Sequence, residues 1–132
     1  MGGGRVARVR SAIEDFNRGD FTAFAAIFHP DVEQFADPQV ADRSEYRGRE
    51  GLMDWIAEAQ ARWRGVRFHG ISVREAGEHT LVELGVVGEA YSGGGAWRIY
   101  VLLRWQDDLI ESLRAYPSRD DALADAGAPT DR

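Results

Sequence analysis

No cysteine occurs in this sequence, so thiolate nucleophiles, disulfides and cysteine-bound metals are excluded. Its three histidines, His29, His69 and His79, lack the local spacing that would hold a metal, and no metal site is expected. His69 is kept as a candidate proton shuttle because imidazole titrates near neutrality, although a strand phase shared with Arg67 and Ile71 fits a satisfied or exposed histidine better. Near the C-terminus, Ser112, Arg114 and Tyr116 alternate through a strand-like stretch. Turned inward, Arg114 could bind an anion or pair with a carboxylate, and Tyr116 could donate to the same ligand. Leu109, Glu111, Leu113 and Ala115 form the competing inward set, and alternation alone leaves both phases open. Ser92-Gly93-Gly94-Gly95 lacks the lysine and following helix of a phosphate loop and reads as a hairpin connection. No serine stands in a nucleophile elbow.

Recognition by area is the other chemistry on offer. Trp97, Ile99, Val101, Leu103 and Trp105 share one face of a strand, with Arg98, Tyr100, Leu102 and Arg104 on the other, and the first set reads as inward. Trp97, Ile99, Val101 and Trp105 of that face, together with Phe16, Phe28, Phe35, Trp55 and Trp63, could wall a concave pocket for a flat or greasy ligand. Taken singly, each aromatic fits plain core packing as well.

The elements that would position these groups follow from periodicity. Val6, Val9, Ile13 and Phe16 make one helical stripe that Asn17-Arg18-Gly19-Asp20 breaks. Asp20 can cap a short second helix carrying Phe24, Ile27 and Phe28, which Pro30 closes. Val32 to Phe35 fits a short strand, and Ala36 to Gly48 a polar surface loop. Leu52, Ile56, Ala59 and Trp63 define a third helix from about Arg49 to Arg64, with Gly65 as its stop. Strand-like segments follow near Val66 to Glu75, Thr80 to Tyr91, Ala96 to Gln106 and Leu109 to Tyr116. Short turns between them imply an antiparallel meander, and Gly85 and Gly88 are points where a sheet could curl. Ser118 with Asp121 signals the cap of a short last helix. Helices first and strands after give an α+β fold, with helices covering one face of a curved antiparallel sheet.

With 132 residues the chain has room for one domain, residues 1–132, and no internal repeat is evident. Sixteen basic against twenty-two acidic residues give a net charge of -6, which argues against nucleic acid as a partner. No apolar run reaches membrane-spanning or signal-peptide length, so no membrane association and a cytoplasmic location are the default expectations. An apolar sheet back carrying Leu84, Tyr100 and Leu102 would leave area to bury, and a homodimer through that sheet is expected.

The Asn17-Arg18-Gly19-Asp20 turn, the His29-Pro30-Asp31-Val32 step, Asp37-Pro38, Tyr46-Arg47-Gly48-Arg49-Glu50-Gly51 and the closing Leu109-Ile110-Glu111 together resemble the nuclear-transport-factor-2-like superfamily, and within it a SnoaL-like protein. The resemblance spans about residues 6–126. It implies a cone-shaped α+β fold, in which helices fill the concave side of a strongly curved sheet and leave a deep pocket. Members include steroid isomerases, polyketide cyclases, epoxide hydrolases, dehydratases and non-catalytic binding proteins, many of them dimeric through the sheet, so membership does not select a chemistry.

By that resemblance Asp37 matches the general base of the steroid isomerases, a role that a dry pocket would favour by raising the proton affinity of a carboxylate. The alternative is an Asx-type turn before Pro38. The isomerase's oxyanion donors have no counterpart, because Ala12 and Val101 stand at the matching positions. The Asp-Arg-Asp constellation of the epoxide hydrolases also finds no matching spacing. Two readings follow. One is a cofactor-independent isomerase, cyclase, hydrolase or dehydratase acting on a small hydrophobic compound, with Asp37 as acid or base. The other is a non-catalytic module that binds a small ligand or mediates dimerisation.

Overall fold

The computed structural model describes residues 2–36, 44–90 and 93–127. Helix α1 (Gly2–Asn17) is followed by the short α2 (Phe21–Ala25), whose N-terminus is capped by the Asp20 carboxylate accepting from the Ala23 amide. Strand β1 (Phe28–Phe35), the three-residue β2 (Glu45–Arg47) and helix α3 (Gly48–Arg62) come next. Four strands then run in sequence, β3 (Trp63–Ala76), β4 (His79–Ala90), β5 (Gly93–Gln106) and β6 (Leu109–Tyr116), before helix α4 (Arg119–Ala126).

All six strands form one sheet in the order β2-β1-β6-β5-β4-β3. The expected meander from β3 to β6 is present, but β1 adds beside β6 in parallel, so the sheet is antiparallel with one parallel pair. Register breaks interrupt β3 between Arg64 and Arg67 and between His69 and Ser72, and the β5–β6 ladder at Arg104/Trp105. Such bulges add local twist and let long strands curve into a half-barrel. Helices α1 to α3 fill its concave side around a core that includes Val9, Phe16, Leu52, Trp55, Phe68 and Ile99. On the outer side α4 seats Ala122 and Leu123 on Ala76 and Leu81.

The turn motifs hold these layers together. Gly19 takes a φ of +81°, a region that favours glycine, and so closes α1 beneath Asn17. The Asn17 amide then donates to the Phe68 carbonyl and accepts from the Phe68 amide, each at 2.9 Å, which ties α1 to β3. At the head of α3, Gly48 has a φ of +72° and Arg49 Nε donates to the Phe28 carbonyl at 2.8 Å, joining α3 to β1. Gly51 clears the buried Tyr46, whose hydroxyl donates to Glu58 at 2.8 Å.

Four sequence expectations are corrected. Pro30 does not end a helix: α2 stops at Ala25, and Pro30 lies inside β1, where the ladder to β6 breaks between Phe28 and Glu33 and asks for no amide. The loop from Ala36 to Gly48 contains β2, whose Tyr46 is buried. Trp63 opens β3 rather than closing α3, since its extended backbone ends the helix two residues before Gly65. Gly93, Gly94 and Gly95 belong to β5 and pair with Ala90, Glu89 and Gly88, leaving Tyr91 and Ser92, which lie outside the described residues, between the two strands.

Candidate functional site

Between α1 to α3 and the concave face of the sheet lies a cavity of about 90 Å³. Alternation along the strands supplies one wall: Val82 and Leu84 from β4, Ile99, Val101 and Leu103 from β5, and Leu113 and Ala115 from β6. Helices α1 and α3 supply the other through Val9, Ala12, Ile13, Leu52 and Trp55. Phe28, Phe35 and Ala36 close the β1 end. No ionisable side chain is among the described lining residues, so a charged ligand would lose its hydration here without a counter-charge.

Two of the lining residues carry a polar atom that is itself buried. Gln34 is 5% exposed on β1 and its Oε1 has no hydrogen-bond partner among the described residues. Trp55, 8% exposed on α3, holds its indole Nε1–H in the same state. Val32 is fully buried two residues before Gln34, so the strand period carries the amide inward with it.

Of the residues singled out in the sequence, Phe28, Phe35, Trp55, Ile99 and Val101 line this cavity. Phe16 lies behind the wall as the hub of an aromatic cluster, its ring centroid 5.3 Å from Phe21 and Phe24, 6.1 Å from Trp55 and 4.5 Å from Phe68. Trp63 is buried in the core outside the lining, with the Arg62 guanidinium 4.8 Å from its ring centroid. Trp105 sits at the far end of α1, where its indole donates to Thr80 Oγ1 at 2.9 Å and its ring lies under Arg5 and Arg8. The side chain of Trp97, and Asp37 altogether, lie outside the described residues. Ala12 and Val101, which stand where the resemblance would place oxyanion donors, both line the cavity with methyl groups.

Arg114 and Tyr116 lie on the opposite side of the sheet. In β6, Leu113 and Ala115 take the inward phase, so Ser112, Arg114 and Tyr116 line an outer groove with Glu33, Leu102 and Arg104. There the Arg114 guanidinium lies 3.9 Å from the centroid of Phe35, and the Tyr116 hydroxyl donates to Asp125 of α4. Burial, reinforced by the bond to Asp125 and its charge, pushes the Tyr116 pKa upward against the opposing pull of Arg114. His69 is also excluded from the cavity. Its exposed ring lies over Gly85, where an added Cβ would meet Nε2 at 2.6 Å. Among the described residues no group of three or more metal-ligating side chains occurs.

The outer face differs from the expected bare back. Leu84 points into the cavity, Leu102 is 5% exposed, and α4 covers Leu81. Buried Glu83 on this face accepts from Arg119 at 2.6 to 3.0 Å and latches the start of α4 to β4. No helix among the described residues is long and apolar enough to cross a membrane.

The lining residues that sequence reasoning missed are chiefly Phe24, Gln34, Phe68 and Leu113. A signal for Gln34 existed in its two-residue spacing from Val32, and Leu113 was on one of the two phases left open for β6. Phe68 alternates with Val66 in a segment read only as a strand.

Similar proteins share this architecture. An NTF2-like protein of unknown function from Burkholderia pseudomallei K96243 superposes with a TM-score of 0.75 at 17% identity, over 91% of this chain and 95% of that one. TerC co-crystallised with polyporic acid gives a TM-score of 0.75 at 13% identity, over 94% and 98%. A protein from Catenulispora acidiphila DSM 44928 with a ketosteroid isomerase-like fold, in complex with trimethylamine, gives 0.70 at 24% identity, over 92% and 93%. At these identities the likeness is one of fold. No curated protein matches the sequence. Residues 9–113 match the SnoaL-like domain, and the chain therefore belongs to the SnoaL-like family, built on the nuclear-transport-factor-2-like fold.

Proposed function

We propose that this protein binds a compact hydrophobic small molecule in the concave cavity and converts it without a redox cofactor, using Asp37 as acid or base. The observation that carries the binding half is the cavity of about 90 Å³, walled by aliphatic and aromatic side chains from both layers of the fold. An engineered apolar cavity of roughly 150 Å³ accepts benzene, so a space of this size suits a ligand of a few heavy atoms or the apolar end of a longer one. The catalytic half rests on the family resemblance and on chain order. The described wall has no ionisable group, and Asp37 is the next residue after the lining residue Ala36. Two solved proteins of the same fold hold small organic molecules, polyporic acid and trimethylamine. A homodimer, implied by the same resemblance, would form on the part of the outer face that α4 leaves open, along Phe35, Arg104 and Arg114.

The test is a screen of small carbonyl and epoxide compounds for turnover by the wild type and by Asp37→Asn. A positioned acid or base contributes about 10²- to 10⁴-fold, so D37N should lose turnover by that factor while ligand affinity and the unfolding midpoint stay unchanged. Equal rates in the two proteins would remove Asp37 from the reaction. Binding without turnover in either protein would establish the second reading, a non-catalytic ligand carrier.

A further inference from the structure

We infer that the cavity takes its ligand end-on, with a short aliphatic end inside and a polar end left in water at the rim. The inference rests on the proposed ligand pocket and specifies the class and orientation of its occupant. The lining residues divide by exposure. Val9, Ile13, Leu52, Leu103 and Ile110 are each at most 5% exposed. Phe35, Ala36, Val101, Leu113 and Ala115 are only half-buried. These five are neighbours across three strands: Phe35 pairs with Arg114, which Leu113 and Ala115 flank, and Ala115 pairs with Val101. Ile27, the other half-buried lining residue, stands apart between α2 and β1, where its carbonyl accepts from the Ile110 amide. Exposure gathered at one place on an otherwise buried wall marks where the cavity opens.

Volume and polarity then define the ligand. The six carbons of benzene fit an engineered apolar cavity of roughly 150 Å³, so in proportion a cavity of about 90 Å³ holds about three or four carbons. No ionisable side chain is among the described lining residues, and a charged or strongly hydrated group would lose its water inside without compensation. Such a group is favoured outside the rim. The occupant is therefore a small amphiphile, an aliphatic end joined to a hydroxyl, a carboxylate or a similar head. Because the head keeps its hydration, its charge matters little to binding, whereas the length of the aliphatic end matters up to the depth of the cavity.

Two homologous series test this, primary n-alkanols and sodium n-alkanoates with alkyl groups of two to eight carbons, titrated into the wild type, Ala12→Leu and Ile99→Val. Affinity should rise about fourfold per buried CH₂ up to about four carbons and less than about 1.5-fold per carbon beyond, with the break at the same alkyl length in both series. A12L, which fills the interior, should leave both series nearly flat. I99V, which takes one methylene from the wall, should move the break about one carbon later. Nuclear Overhauser contacts should run from the terminal methyl of the chain to Leu103 and from its head carbon to Ala115. Alcohols that bind while the carboxylates do not would show the head buried and overturn the end-on orientation, as would the reverse order of contacts. A rise unbroken to eight carbons, or a break that neither substitution moves, would overturn the assigned depth. Absence of binding at every chain length would instead overturn the pocket reading on which the inference depends.

Discussion

Gly85 and Gly88 occupy the same strand, and both sit where another side chain needs the room a Cβ would take. At Gly85 the obstacle is the tip of an exposed ring, His69 Nε2 at 2.6 Å. At Gly88 it is Trp63 Cβ at 2.8 Å, an atom fixed to the backbone of a buried residue, with the Val66 Cα at 3.4 Å behind it. An imidazole tip can rotate away; a Cβ cannot without moving its strand. Gly88→Ala should therefore cost about 1–3 kcal/mol, the range of overpacking, whereas Gly85→Ala should cost less and lose most of that cost when combined with His69→Ala. Urea unfolding of the single and double variants measures both terms, and equal losses for G85A and G88A would contradict this reading. At this scale much was legible. Asn17-Arg18-Gly19-Asp20 announced both a helix end and a helix cap, and the structure adds the paired bonds from Asn17 to Phe68 that no local pattern reveals. Gly85 stood out in the sequence as a glycine inside a strand, but its steric partner comes from a neighbouring strand and could not be read from alternation.

Helix α4 acts as an outer clamp on the sheet, and its attachments explain why Arg114 and Tyr116 belong to this layer rather than to the cavity. Ser118 caps it through the Asp121 amide, Arg119 holds buried Glu83, and Tyr116 at the end of β6 donates to Asp125. Because burial and the neighbouring carboxylate raise the Tyr116 pKa above its ordinary value of 10.0, the folded state holds this proton more tightly than the unfolded chain. The resulting stability is complete below about pH 10 and is lost as pH climbs through the raised value. Unfolding midpoints should consequently fall at alkaline pH in the wild type, and Tyr116→Phe should flatten that decline; parallel decline in both proteins would show that Tyr116 contributes nothing to it. The alternation of β6 was visible in the sequence, but its phase was not, because both sets mix apolar and polar residues. What settles it is the bulge in the β5–β6 ladder at Arg104/Trp105, past which Leu103 and Val101 of the inward face stand opposite Leu113 and Ala115. On the other side of β6, the parallel pairing with β1, some eighty residues away, recruits Phe28 and Pro30 into a strand, against the helical spacing of Phe24, Ile27 and Phe28.

For the molecule as a whole, the layered α+β plan followed from the order of helical and strand-like periods, whereas the cavity was implied by the family resemblance and not by those periods. Empty volume depends on how far side chains of both layers fall short of meeting, a quantity that no single element carries. The cavity also sets stability against ligand binding. At roughly 24 cal/mol per Å³, a void of about 90 Å³ withholds about 2 kcal/mol that closer packing would supply. Ala12 is the natural place to recover it, being a buried lining residue on α1, where leucine is a good helix former and projects toward the concave face of the sheet. Ala12→Leu should raise the unfolding free energy by up to about 2 kcal/mol and at the same time abolish binding of the small carbonyl and epoxide compounds of the turnover screen. Denaturation and titration on the same preparation measure the two effects. A lower midpoint would mean that the helices and sheet already meet at van der Waals distance around position 12, and a stabilised protein that still binds would place the ligand elsewhere than in this cavity.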